Sequence, residues 1–330
     1  MKERVLITGA SGFIGFHLIE AALRNGLSVY AGIRAGSDVS HLKGYDIGYC
    51  ELDYTNPELL TKQLAATGCN YIVHAAGATR AVTQQAYDKI NADYGVNLAN
   101  AALTSLGDRL NKFVYVSSLA AMGPLNSNDA VITEAVKPAP VTAYGRSKLL
   151  GEQKLQALPS LPLVVLRPTA VYGPRERDIF IMLRSINRGI EAYIGRIEQQ
   201  LSFIYVKDLA SVIINSLFSG LSNEVFNISD GRSYGQYELA NLSKQLLHRK
   251  TVRLHLPYGM IKGLAFAMER LYGWRGKAPV LNREKLHELT AVNWQCSIEK
   301  AKTQLGFCPQ YSLEQGLKET LHWYHQNKWL

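Results

Sequence analysis

The sequence predicts an α/β fold, a doubly wound parallel sheet carrying a smaller, discontinuous C-terminal lobe. Short apolar runs recur as "RVLIT", "SVYAGIR", "YIVHAAG", "KFVYVSS" and "LPLVVLRP", each bounded by turn residues and readable as a buried strand. Segments with helical periodicity separate them, and that alternation favours parallel strands covered by helices. The first strand, Arg4 to Thr8, runs through "TGASGFIG" into an amphipathic helix, "FIGFHLIEAALRNG", that ends at Asn25-Gly26.

Beyond Pro168 the pattern loosens into loops rich in glycine, proline and arginine, returns to strand-like "SFIYVKDLA" and "EVFNIS", and finishes mostly helical. The predicted division is a dinucleotide domain of residues 1–166 with 203–229, and a substrate lobe of residues 167–202 with 230–330. A chain of 330 residues, 47% of them hydrophobic, can bury such a core. Cys50, Cys69, Cys296 and Cys308 have neither the spacing of a metal site nor the density of a disulfide scaffold, so a reducing, cytoplasmic compartment is expected. Net charge is +9, but the basic residues are scattered, and no nucleic-acid partner is expected. Tyr258 to Trp274, "YGMIKGLAFAMERLYGW", is too short and too charged to span a bilayer, which needs roughly 20 apolar residues. A helix packed on its own lobe is the main expectation, with a lid over apolar substrate or a membrane-touching surface left open.

Gly9, Gly12 and Gly15 lie three apart between strand and helix. Two glycines permit a tight turn and close approach of a pyrophosphate, the third permits close helix packing, and the helix N-terminus offers free N–H groups to the anion. Arg34 ends the second strand, with Ser37 following, where an acid would instead accept from a ribose 2′-hydroxyl. An arginine fork suits a 2′-phosphate, so NADP is favoured over NAD, with Asp38 keeping NAD open. Asp53, in "ELDYT", is placed to accept from an adenine amino group or to cap the helix "PELLTKQL".

Tyr144 and Lys148, in "VTAYGRSK", share a helix face at i and i+4. An ammonium beside a phenol stabilises phenolate, so a lowered tyrosine pKa is expected, and such a tyrosine exchanges protons with a substrate oxygen. Ser117 and Ser118 close a buried strand at its carboxyl end, where ligands of open α/β sheets bind and a hydroxyl can steady the substrate oxygen.

With these residues in one order, the chain resembles the extended short-chain dehydrogenase/reductases, the NAD-dependent epimerase/dehydratase group. The resemblance rests on "TGASGFIG", "HAAG", "VSS", "YGRSK", "LRPTAVYGPR", "FIYVKDLA" and "LGFCPQYSLEQGL". It implies a Rossmann fold, a catalytic Ser118, Tyr144 and Lys148, and a cofactor lined by Gly9, Gly12, Phe13, Ile14, Gly15, Arg34, Asp53, Ala75, Ala76, Gly77, Tyr144, Lys148 and Pro168. It also implies a homodimer built on two helices from each subunit.

Departures from the family pattern narrow the chemistry. Leu119 and Ala120 stand where resembling dehydratases carry an acidic pair, so dehydration is not expected. Ala170 and Leu201 stand near positions where sugar-nucleotide enzymes hold a diphosphate, although Arg167, Arg175, Arg177 or Arg184 could compensate. "FIYVKDLA" and the apolar region from Tyr258 to Trp274 look more like hydroxysteroid-dehydrogenase-like and flavonol-reductase-like members, with Leu264, Phe266, Met268 and Trp274 as candidate pocket residues. The expected activity is NAD(P)-dependent interconversion of a secondary alcohol and a ketone on an uncharged or lipophilic small molecule. The alternatives are a nucleotide-sugar epimerase or a cofactor-binding protein without turnover.

Overall fold

Thirteen strands and twelve α-helices follow one another in a computed structural model that describes residues 2–273, 279 and 281–330. The first half alternates as expected: β1 (Arg4–Thr8), α1 (Phe13–Arg24), β2 (Ser28–Ile33), β3 (Gly48–Glu51), α2 (Pro57–Thr67) and β4 (Tyr71–His74). Next come α3 (Gln84–Asp88), a π-helical turn at Lys89–Asp93, α4 (Tyr94–Leu106), β5 (Lys112–Val116), α5 (Ala143–Gln156) and β6 (Leu163–Pro168). Local chemistry sets several boundaries. Asn56 accepts from Leu59 N and Pro57 opens α2, Gly68 ends it at φ +58°, and Thr142 caps α5 by accepting from Gly145 N.

The second half is less regular. It contains β7 (Ala170–Tyr172), α6 (Asp178–Asn187), β8 (Ile190–Ile194), β9 (Gln200–Leu201), β10 (Phe203–Tyr205), α7 (Val206–Leu217), β11 (Glu224–Ile228) and β12 (Tyr234–Gly235). It closes with α8 (Glu238–Leu247), β13 (Val252–Leu256), α9 (Tyr258–Gly273), α10 (Arg283–Thr290), α11 (Glu299–Leu305) and α12 (Leu313–Gln326). The stretch "SFIYVKDLA" departs from its strand-like reading, since only Phe203–Tyr205 is extended and Val206 begins a helix. That helix has no side-chain cap to announce it, since its N-cap is Tyr205, and the Asp208 carboxylate of its first turn accepts from Gln310 N and Tyr311 N.

The seven-stranded sheet has the order β11-β6-β5-β4-β1-β2-β3, with every pair parallel. Strand order reverses between β1 and β4, so the connections leaving their carboxyl ends part and leave a crevice. The strands alternate side chains between two cores. Val5 and Ile7 face α1 and α7 with Leu18, Leu209 and Ile213, whereas Leu6 faces α2, α4 and α5 with Leu64, Leu98 and Leu155. Ile298, Ala301 and Phe307 join the first of these cores, and a third, built on Tyr172, Leu183, Tyr205 and Leu317, holds the C-terminal lobe. All four cysteines are free. Among the described residues no helix is long and apolar enough to cross a membrane.

Candidate active site

At the crevice, Gly9 turns the chain away from β1 with φ +68°. A Cβ there would lie 2.9 Å from the Ala75 carbonyl and from Ala76 Cα, so glycine alone lets this turn rest on the end of β4. A Cβ on Gly15 would lie 2.7 Å from Ala10 Cα and closer still to Gly9 O, which fixes how near α1 approaches β1. Gly12 precedes α1 with no side-chain cap, leaving the first N–H groups of the helix for a ligand. A cavity of about 530 Å³ opens there, lined by Ser11, Gly12, Phe13, Arg175, Arg177 and Trp323 among others. Arg175 lays its guanidinium over the Phe16 ring, 4.4 Å from the centroid. Free helix N–H groups, a glycine cradle and two arginines have the chemistry of a pyrophosphate site, so these residues fit a dinucleotide. Ile14 turns away into the hydrophobic cores.

Arg34 is exposed just past β2. Its backbone N–H donates to Ser37 Oγ at 3.1 Å, and among the described residues its guanidinium has no hydrogen-bond partner. Asp38 accepts from Ser40 N at 2.9 Å and closes a local turn. Asp53 accepts from Thr55 N and Thr55 Oγ1, while Asn56 caps α2, so helix capping is not the role of Asp53. Pro168 is buried at the end of β6, and Ala75, Ala76 and Gly77 pass beside Lys148, an added Cβ at Gly77 lying 3.9 Å from its Nζ.

The two serines after β5 part company. Ser117 is buried and donates to Glu152. Ser118 caps a short turn by accepting from Ala120 N at 3.2 Å, and its hydroxyl is near enough to the Tyr144 phenol to act on that group's pKa. Ser118 and Tyr144 thus lie together at the carboxyl edge of the sheet, with Lys148 one helical turn further along α5.

Their electrostatics differ from expectation. Burial pushes the Tyr144 phenol up to about 12; the Ser118 hydroxyl works against the rise, and the charges of Glu288 and Tyr87 add to it. The anticipated lowering is absent because Lys148 is committed elsewhere: Nζ donates to Val116 O at 2.7 Å and lies 4.2 Å from the Tyr115 ring centroid. Burial brings Lys148 itself down to about 7, with Glu152 opposing. The site thus holds a neutral phenol beside an amine that titrates near neutrality. Such a pair suits donation of a proton to a substrate oxygen.

Groups that sequence reasoning missed support this arrangement. Asn91, fully buried in the π-helical turn, accepts from Ala78 N at 2.7 Å, donates to Ser147 Oγ at 2.9 Å, and accepts from Tyr115 OH through its carbonyl. No sequence signal marks that turn. Glu152 takes a bidentate Arg167 at 2.6 to 3.1 Å, both side chains buried. Here a signal existed, since Tyr144, Lys148 and Glu152 repeat at four-residue spacing. On α10, Glu284 accepts from Ala143 N and from Arg146, both at 2.6 Å, and so ties the lobe to the helix that carries Tyr144.

The arginines suggested as diphosphate holders are disposed otherwise. Arg167 is spent on Glu152, Arg175 and Arg177 line the cavity at the glycine loop, and Arg184 is exposed on α6. Leu264 and Phe266 are about half exposed on α9, Met268 is half-buried, and Trp274 lies outside the described residues.

The NAD dependent epimerase/dehydratase family matches residues 5–229. The chain is 26% identical to a UDP-glucose 4-epimerase of Vibrio cholerae, over 97% of this chain and 95% of that one. It is 25% identical to a decarboxylating sterol-4-alpha-carboxylate 3-dehydrogenase of Dictyostelium discoideum, over 96% of this chain and 99% of that one. Among solved structures, a UDP-glucose 4-epimerase from Thermotoga maritima shares the fold with a TM-score of 0.80 at 23% identity, covering 98% of this chain and 99% of its own.

Proposed function

Since this chain belongs to the NAD-dependent epimerase/dehydratase family, we propose that it is an NADP-preferring oxidoreductase that interconverts a secondary alcohol and a ketone on an uncharged, lipophilic substrate. One observation carries the choice of substrate. The arginine at the active-site end of β6, Arg167, is neutralised by Glu152, while Ala170 and Leu201 offer no charge, so a diphosphate lacks its clamp. An apolar substrate needs none, because burial contributes roughly 25 cal/mol per Å². The relative named for a sterol-4-alpha-carboxylate supports the lipophilic part of this reading. The NADP preference is supported by the unpartnered Arg34 guanidinium and by the engagement of Asp38 with Ser40.

When bound, the nicotinamide supplies or accepts a hydride. In the reducing direction Tyr144, neutral at pH 7, donates its proton to the carbonyl oxygen as the adjacent carbon receives hydride. Ser118 holds that oxygen, and Lys148, titrating near 7 one helical turn from Tyr144, positions the ribose and returns the proton. With Leu119 and Ala120 next to Ser118, no second acid and base stand there for elimination of water.

A second reading, a sugar-nucleotide epimerase, is favoured by the resemblance to the Vibrio cholerae enzyme. The two readings diverge in cofactor bookkeeping. Stoichiometric loss of NADPH absorbance with long-chain or polycyclic ketones supports net reduction. Tightly retained cofactor with interconversion of UDP-glucose and UDP-galactose, and no net absorbance change, replaces it with epimerisation.

A further inference from the structure

The small ribbon of β8 and β13 is inside out. Its pairing sets Val252 opposite Ile190 and Leu254 opposite Ala192, and Val252, Ile190 and Leu254 are exposed to 65%, 46% and 43%. The reverse face carries the charge. Glu191, buried, receives Lys244 of α8 at 2.9 Å, Arg253 at 3.0 Å, Thr251 and Tyr193. A half-exposed ribbon ordinarily turns its apolar side inward, so this inversion marks a surface made to be covered.

The chain passes directly from this ribbon into α9, which repeats the pattern. Ile261 and Ala265 form its narrow inward face. Met260, Leu264, Ala267 and Leu271 recur at i, i+4, i+7 and i+11 on the outward one. Met260 is 62% exposed and Leu271 56%. The expected packing of this helix on its lobe therefore accounts for one edge only.

Charge identifies the cover. Between Arg249 and Arg270 the chain has five basic residues, Arg249, Lys250, Arg253, Lys262 and Arg270, against one acid, Glu269. Glu269 is paired with Arg283, and Arg253 with Glu191. Lys262, also exposed, projects from the side of α9 away from the stripe, and Arg249, Lys250 and Arg270 remain exposed. A second copy seated on this face would bring those cations against their own kind. An anionic bilayer takes apolar side chains into its interface and pairs lysine and arginine with its headgroups. We propose that the outer face of β8/β13 and the outward stripe of α9 dock this protein on an anionic lipid surface. The inference rests on these exposed faces and not on the proposed substrate, so the two fail separately.

Vesicle co-sedimentation of the full chain tests it. Vesicles of phosphatidylcholine with phosphatidylglycerol should bind, vesicles of phosphatidylcholine alone should bind far less, and high salt should release the protein. Met260→Glu with Leu271→Glu, and Val252→Glu separately, should each weaken binding by about tenfold. Each charge removed by Arg249→Gln or Arg270→Gln should cost about fivefold, whereas Lys262→Gln, on the far side of α9, should change binding little. Circular dichroism and NADPH fluorescence titration establish that these variants stay folded and bind cofactor. The proposal is overturned if neither vesicle binds, or if the folded glutamate variants bind as well as the parent. It is equally overturned by a concentration-dependent dimer that the same substitutions dissolve while vesicles do not bind.

Discussion

Glu152→Gln deletes one charge and almost no volume, and so isolates the electrostatics beneath the active site. The carboxylate is 1% exposed and grips Arg167, itself 8% exposed, with the Ser117 hydroxyl as a further donor. The substitution leaves an interior guanidinium without its counter-charge. Removing one member of a buried pair costs roughly 3–5 kcal/mol, a large share of the roughly 5–15 kcal/mol that holds a typical domain. A second effect falls on Lys148. Burial lowers that amine to about 7 while Glu152 raises it, so without Glu152 burial acts unopposed and the pKa drops below 7. If the ammonium form is the working one, ketone reduction by the parent declines as pH rises through about 7, and in the variant the decline begins at lower pH. Urea unfolding and the pH profile of NADPH oxidation read the two effects separately. Adding Arg167→Met removes the stranded charge and should restore part of the stability without returning the pH limb. A loss smaller than about 1 kcal/mol, the range of exposed pairs, together with an unmoved limb, would refute the reasoning.

Tyr144→Phe should lower turnover by roughly 10²- to 10⁴-fold yet leave NADPH affinity, read by fluorescence titration, almost unchanged. Gly15→Ala drives a methyl into Gly9 O and Ala10 Cα. It should cost roughly 1–3 kcal/mol and weaken cofactor binding in the same titration. His74, buried and bonded to Thr8 Oγ1 at 2.8 Å, is lowered to about 3 by burial and by the Lys148 charge. Between 6.5 and about 3 the unfolded chain holds a proton on this residue that the folded chain refuses. Stability therefore falls as pH falls, by at most about 1.4 kcal/mol per unit from this group. His74→Phe should flatten that slope in urea unfolding measured across the window.

The features legible in the sequence are those whose cause is local. Gly9 and Gly15 announce the loop because a Cβ at either would collide with neighbouring backbone, and β1, β4 and β5 announce themselves because their buried centres are apolar on both faces. Tyr144 and Lys148 announce a shared helix face in the same way. The direction of their pKa shifts is not local. Spacing places an amine near a phenol, but the Val116 carbonyl and the Tyr115 ring, brought by β5, decide where that amine points. Burial then governs both groups, raising one and lowering the other toward the pH at which the enzyme would work. The pair is better described as a neutral acid beside a titrating base than as an activated phenolate. That assignment ties catalysis to Glu152, the one residue of the site whose spacing was visible and whose charge sets how far Lys148 can fall.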